Sequence, residues 1–118
     1  MTALETFLDD YVSQLRADGF VRATADLEEV NPPGIWVCLD TIDAGGLDLT
    51  RCEIVTRLYL VSGHDSQRRA LADLAPMHSG LIAAGYVPSE PVTLVGLAVP
   101  SQQRELFALR FTTTDIIP

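Results

Sequence analysis

Residues that could perform hydrolytic chemistry meet at one point of the 118-residue chain, where His64, Asp65 and Ser66 follow one another. A histidine, a carboxylate and a hydroxyl are the parts of a catalytic triad, but a triad needs the three side chains to converge. Adjacent side chains at the start of a helix diverge, and the flanking sequence lacks the nucleophile elbow of hydrolases. We therefore interpret the cluster as a helix cap and predict no catalytic residue.

The histidines and cysteines do not have the spacing of a metal site. His64, His78, Cys38 and Cys52 form no CxxC or HxxxH pair, which zinc sites usually contain. The glycine pair at 45–46 precedes neither a helix nor a lysine, so it does not form a phosphate-binding loop. The sequence predicts no metal and no cofactor.

Charge and composition restrict the partners. The chain has 16 acidic residues against 8 arginines and no lysine, which gives a net charge of −8. Domains that hold DNA usually present a basic face, so stable nucleic-acid binding is not expected. An acidic wall would instead let DNA slide past without adhering. No apolar run approaches the ~20 residues of a membrane span, and the N-terminus lacks an export signal, so we expect a cytosolic setting with free thiols and no membrane contact.

Hydrophobic periodicity predicts the elements that would have to position any site. One helix is predicted from Ala3 to Asp18, ending at Gly19, and a second from Ser66 to Ala84, ending at Gly85. Pro76 falls inside the second helix and predicts a kink or a break there. Four strands are predicted, at residues 35–43, 51–61, 92–99 and 105–116.

The first two strands are joined by a short loop, which predicts an antiparallel hairpin. With its turn near Leu47, Cys38 and Cys52 would be offset along the ladder, which argues against a disulfide. Alternation in the second strand places its better apolar face toward the core and Arg57 and Tyr59 on the other face. The order helix-strand-strand-helix-strand-strand predicts one α+β domain over the whole chain, a mostly antiparallel four-stranded sheet packed with two helices.

The third strand is apolar on both faces. Val92 and Leu94 lie on one face, and Val95, Leu97 and Val99 lie on the other. Both faces must be covered, either by helices on opposite sides of the sheet or by another subunit. The second of these faces is therefore a candidate subunit interface.

Four segments, taken in chain order, match the organisation of a known family. They are the N-terminal helix, the hairpin IWVCLDTID and RCEIVTRLYLVSG, the helix that opens with HDSQRRALADL, and the closing pair VTLVGLAV and RELFALRFTTTDII. Over nearly its whole length the chain thus resembles the tail terminator, or tail completion, proteins of siphophages and the related neck proteins. The resemblance implies a structural virion protein: a ring, typically a homohexamer, that caps the tail tube and joins it to the head connector while DNA passes through the lumen without specific binding.

The resemblance also implies partners and contact residues. The partners would be further copies of the chain, the major tail tube protein and the head-tail connector protein, in the tail and neck of the virion and in the host cytoplasm during assembly. The loop at 44–50 would contact the tube or the connector, and an exposed sheet face would meet a neighbouring subunit. The loop residues are Gly45, Gly46, Leu47 and Asp48, and the interface residues are Arg57, Tyr59, Val95, Leu97 and Val99.

Two other classes of protein remain open. One is a small-molecule-binding or regulatory α+β domain that forms a dimer and uses a pocket between helix and sheet. The other is a small enzyme, which is disfavoured because no nucleophile, base and orienting residue can be named from the sequence.

Overall fold

The computed structural model of the protein describes residues 3–43 and 52–117. In these residues the fold is α+β, as predicted, with two helices and one five-stranded sheet. The helices are α1 (Ala3–Ala17) and α2 (Gln67–Ala83). The strands are β1 (Ala23–Thr24), β2 (Gly34–Asp43), β3 (Cys52–Val61), β4 (Thr93–Val99) and β5 (Arg104–Ile117). The sequence predicted four of these strands; β1 has two residues and is too short to show an alternating pattern.

Capping residues fix the helix ends close to where the sequence predicts them. Ser66 precedes α2, and its Oγ accepts a hydrogen bond from the backbone N–H of Arg69 at 3.3 Å. Gly19 and Gly85 follow the two helices with φ of +107° and +99°, a left-handed conformation that glycine adopts without steric cost. The caps therefore confirm both predicted helices to within one or two residues.

The predicted break at Pro76 is wrong, because α2 runs unbroken through this residue. Pro76 and Ala72 both lie on the exposed side of the helix. The carbonyl of Ala72, which loses its helical hydrogen bond to the proline, therefore faces solvent, and water can satisfy it.

The sheet has the strand order β1-β2-β3-β5-β4, and every neighbouring pair is antiparallel except β1 with β2. In the predicted hairpin, Ile35 lies opposite Leu60, and the register shifts between Leu39 and Thr41. Cys38 lies opposite Arg57, and both cysteines are free.

Both helices pack on the same face of the sheet. The main core joins the helices to this face, and its fully buried members are Leu15, Ile35, Val37, Leu58, Leu60, Ala70, Leu74, Leu81 and Phe111. Helices on opposite sides of the sheet were one of the two predicted ways to cover β4, and that arrangement is wrong. The second face of the sheet has no α-helix on it among the described residues.

Candidate assembly surface

One surface of the protein is a sheet face that no α-helix of the described residues covers, and we call it the open sheet face. Cross-strand pairing fixes its members, because residues that pair in a ladder point to the same side. Trp36 pairs with Tyr59, Tyr59 with Arg110, and Val95 with Ala108. The half-buried side chains of this face are Trp36, Cys38, Val55, Arg57, Tyr59, Val95, Leu97 and Arg110. It brings together four of the five predicted interface residues.

An aromatic pair forms one side of the open sheet face. The rings of Trp36 and Tyr59 are stacked, with centroids 5.2 Å apart and an angle of 25° between their planes. The indole N–H of Trp36 donates to the backbone carbonyl of Ala25 at 3.3 Å, which holds the ring in place. A rigid aromatic pair whose outer side is accessible is typical of the central anchors of protein interfaces.

Two arginines lie on the open sheet face. The Nε of Arg57 lies 3.2 Å from Oδ1 of Asp40, an ion pair that lacks hydrogen-bond geometry. Arg110 is half-buried and makes no ion pair with any described residue. Alternation along β5 places Arg110 on the side opposite the buried Phe111. Only the pairing of β3 with β5 brings it beside Tyr59, and the sequence did not give that strand order.

Val99, the fifth predicted interface residue, does not lie on this surface. It is 1% exposed and belongs to a small second core at one end of the face. Two short 3-10 helices, Leu27–Glu29 and Pro100–Gln102, close this end, and the hydroxyl of Ser101 donates to the carbonyl of Val30 at 3.0 Å. Val99 shares the side of β4 that carries Val95 and Leu97, but it is buried at this closed end of the face.

The strand β4 forms an open edge of the sheet. It pairs with β5 alone, so one row of its backbone N–H and C=O groups has no strand partner in the described part of the chain. Its sequence, TLVGLAV, contains no charged residue and no proline, the usual devices that keep an edge strand from pairing with another chain. This edge borders the open sheet face at Val95 and Leu97.

The opposite side of the molecule is acidic. The outer surface of α1 carries the exposed side chains of Asp9 and Asp10, and Asp18 follows the helix. Arg57 and Arg110 therefore lie on the open sheet face, which also carries Glu53, and the carboxylates of Asp9 and Asp10 lie on the outer surface of α1.

The strand-to-helix junction holds a serine, a histidine and an aspartate in an order that does not form a triad. The buried hydroxyl of Ser62 donates to Oδ2 of Asp73 at 3.0 Å, and Nε2 of His64 lies 3.4 Å from the same oxygen. Ser62 also accepts a hydrogen bond from the backbone N–H of His64 at 3.2 Å. In a triad the histidine lies between the hydroxyl and the carboxylate, whereas here the carboxylate binds the serine directly.

Arg104 ties this junction to the start of β5. Its guanidinium pairs with Asp65 and donates to the carbonyl of Gly63 at 2.7 Å. Ser66 caps α2, as predicted, and these contacts hold Asp65 and His64 at the junction.

The predicted tube-contact loop, Gly45, Gly46, Leu47 and Asp48, lies outside the described residues. The strand that leads into it is exposed from Asp40 to Asp43. Among the described residues, no group of three or more histidine, cysteine, aspartate or glutamate side chains could hold a metal ion. No described helix is long and apolar enough to cross a bilayer.

No family model, curated protein or solved structure matches this chain. Function is therefore inferred from the geometry of the two layers and from the sequence resemblance.

Proposed function

We propose that this protein is a structural virion component that assembles into a ring, caps a phage tail tube and joins it to the head connector. The open sheet face is the observation that carries the proposal. Antiparallel sheets with one face in water normally place polar residues there, whereas this face presents Trp36, Tyr59, Val95 and Leu97. A contiguous apolar surface of this kind marks an interaction site.

A second copy of the chain is the occupant that the charges favour. Arg57 and Arg110 lie on the open sheet face, and Asp9 and Asp10 lie on the outer side of α1. A contact between the sheet side of one copy and the helical side of the next therefore pairs opposite charges around an apolar centre. Such a contact is head-to-tail, and when its rotation closes it produces a ring.

The remaining parts of the proposal follow from the resemblance and the charge balance. A homohexamer is the expected ring, with the major tail tube protein and the head-tail connector as its axial partners. With a net charge of −8, a lumen formed by this chain repels phosphate, so DNA can pass without being held. The loop at 44–50 remains the proposed axial contact.

Substitution of Leu97 by aspartate tests the proposal directly. A charge at the centre of a desolvated contact costs several kcal/mol, so Leu97→Asp is expected to remain a folded monomer under conditions in which the wild type forms a ring. Native mass spectrometry measures the assembly, alone and with tail tube added, and circular dichroism measures the fold. Val21→Asp is the matched control, since Val21 is 74% exposed and lies outside the sheet. A Leu97→Asp variant that still assembles would contradict the proposal.

A charge exchange tests the head-to-tail geometry without touching the apolar centre. Arg110→Glu alone and the double variant Asp9→Arg, Asp10→Arg alone are each expected to assemble poorly, because both place like charges across the contact. Mixing the two variants restores opposite charges at every contact of an alternating ring, so assembly returns. A contact between two sheet faces would instead let Arg110→Glu pair with the wild type, and that result would refute the head-to-tail arrangement.

A further inference from the structure

A second feature of interest lies on the helical side of the sheet, away from the open sheet face. The C-terminal ends of α1 and α2 and the strand β5 enclose an open cleft of about 430 Å³, large enough for a small organic molecule. Its polar lining consists of Tyr11, Gln14, Asp18, Tyr86, Thr113 and Asp115, with Thr114 beside them. The assembly proposal uses none of these residues.

The cleft carries negative charge that nothing in it neutralises. Asp18 and Asp115 line it, and no described residue of its lining is basic. The Oδ2 atom of Asp115 is buried and has no hydrogen-bond partner among the described residues. Burial raises the pKa of this carboxyl above its ordinary value of 3.8. A carboxylate oxygen placed out of water without a partner is costly, and native folds keep few such groups.

Two tyrosines stand beside this carboxylate in fixed orientations. Their ring centroids are 6.0 Å apart, with an angle of 46° between the planes. The hydroxyl of Tyr11 shares a hydrogen bond of 2.7 Å with Thr113, and the hydroxyl of Tyr86 donates to Asp18 at 3.0 Å. Burial raises the pKa of Tyr11 to about 12, and the pKa of Tyr86 is also raised, first by burial and then by its bond to Asp18, so both stay neutral.

We propose that the cleft binds a small organic cation, a guanidinium or primary ammonium compound, with Asp115 as its counter-ion and the two tyrosine rings beside it. A carboxylate next to aromatic rings is the arrangement that attracts such cations most strongly, because the ring faces carry negative charge density. The cation offsets the charge of the Asp115 carboxyl group, which lines the cleft and has no basic residue of the described lining beside it. Ala84 and Val87 form an apolar wall beside these groups, so the cleft can also accommodate a short alkyl chain.

Butylguanidinium and its neutral counterpart butylurea are the probes for this site. They have nearly the same shape, so isothermal titration calorimetry with both isolates the effect of charge. Wild-type protein is expected to bind butylguanidinium, and Asp115→Asn is expected to bind it about tenfold more weakly. The matched control is Glu28→Gln, which removes the same charge from an exposed site on the opposite side of the sheet and is expected to bind like the wild type.

Two tyrosine variants test the role of the rings. Tyr86→Phe retains the ring and is expected to bind within about threefold of the wild type, whereas Tyr86→Leu is expected to lose binding by more than that. Equal binding of butylurea and butylguanidinium, or undiminished binding by Asp115→Asn, would overturn the proposal. Because the cleft and the open sheet face lie on opposite sides of the sheet, the folded Leu97→Asp variant is expected to bind like the wild type. The outcome of the binding measurement therefore does not depend on whether the protein assembles into a ring of subunits.

Discussion

Replacing Asp115 by asparagine is expected to stabilise the free protein at neutral pH. The substitution keeps the shape of the side chain and removes a charge whose Oδ2 atom is buried without a hydrogen-bond partner. Most substitutions in a strand destabilise a protein, so an increase in stability is a distinctive result. It would identify Asp115 as a residue that the fold tolerates and a ligand uses, in line with the cost that binding sites often impose on stability.

The magnitude follows from how far the carboxylate is buried. An unsatisfied buried polar group costs about 1–3 kcal/mol and a charged one costs more; asparagine keeps a polar atom there and removes only the additional cost of the charge, which is small because the residue as a whole is only half-buried. The expected gain is therefore about 1 kcal/mol. For a chain of 118 residues this corresponds to a rise in Tm of roughly 4 °C.

The gain in stability expected for Asp115→Asn depends on pH, and the raised pKa of Asp115 determines the direction of this dependence. A carboxyl whose pKa is higher in the folded state binds protons more tightly there, so folding is favoured as it becomes protonated. The wild type therefore loses stability as the pH rises from the ordinary pKa of 3.8 through the folded-state pKa. The titratable groups that face Asp115 are Tyr11 and Tyr86, which stay neutral below their raised pKa values, and Asp18, which lies further along the cleft.

Thermal melting followed by circular dichroism, from about pH 4 to pH 8, measures this effect. The difference in Tm between Asp115→Asn and the wild type is expected to be largest at neutral pH and to shrink toward the acid end. Glu28→Gln serves again as the control, since loss of general negative charge would stabilise both variants alike. The reasoning is refuted if Asp115→Asn melts at or below the wild-type temperature at neutral pH, or if its advantage does not change with pH.

Two further predictions concern the junction and the thiols. Ser62→Ala removes the buried hydroxyl that binds Asp73 and His64, so it is expected to cost about 1–3 kcal/mol of stability and to lower Tm by roughly 4–12 °C. A change in Tm within the error of the melt would show that the cluster does not stabilise the junction. In a Cys52→Ser background, Cys38 is expected to react with iodoacetamide more slowly than free cysteine at mildly alkaline pH, because burial raises the pKa of its thiol above the ordinary 9.0. Equal or faster reaction, followed by mass spectrometry, would contradict this.

The sequence predicted the elements well where the pattern was local. Glycine stops, the Ser66 cap and the alternation of the second strand depend on neighbouring residues, and each lies where it was expected. The wrong predictions concern the break at Pro76 and the placement of the two helices, which depend on tertiary packing and not on local sequence patterns. Nothing local shows that Pro76 faces water, and nothing local shows that both helices pack on one side of the sheet.

For the candidate sites, too, the sequence predicted what depends on local pattern and missed what depends on tertiary packing. Arg57 and Tyr59 were placed on the correct face because alternation decides it, and Arg110 joined them only through the pairing of β3 with β5. The cleft was not predicted at all. Tyr11 and Asp115 are 104 positions apart in sequence, and only the packed helix brings them to one wall of a cavity. Burial without a partner, the property that makes Asp115 notable, arises from tertiary packing and leaves no trace in the sequence.

The polarity of the open sheet face changes along its length, and this change is what separates an assembly surface from an ordinary solvated sheet. Where β5 runs beyond the end of β4, the residues on this side are Thr112, which is 2% exposed, and Thr114, whose hydroxyl donates to that of Ser89 at 2.9 Å. Alongside β4 the same side carries Tyr59, Val95 and Leu97. Val95 and Leu97 are only half-buried, so an apolar surface beside β4 stays in contact with water. The apolar residues gather next to the unprotected edge, where another chain would add the most contact. That coincidence favours a neighbouring subunit on β4 over solvent.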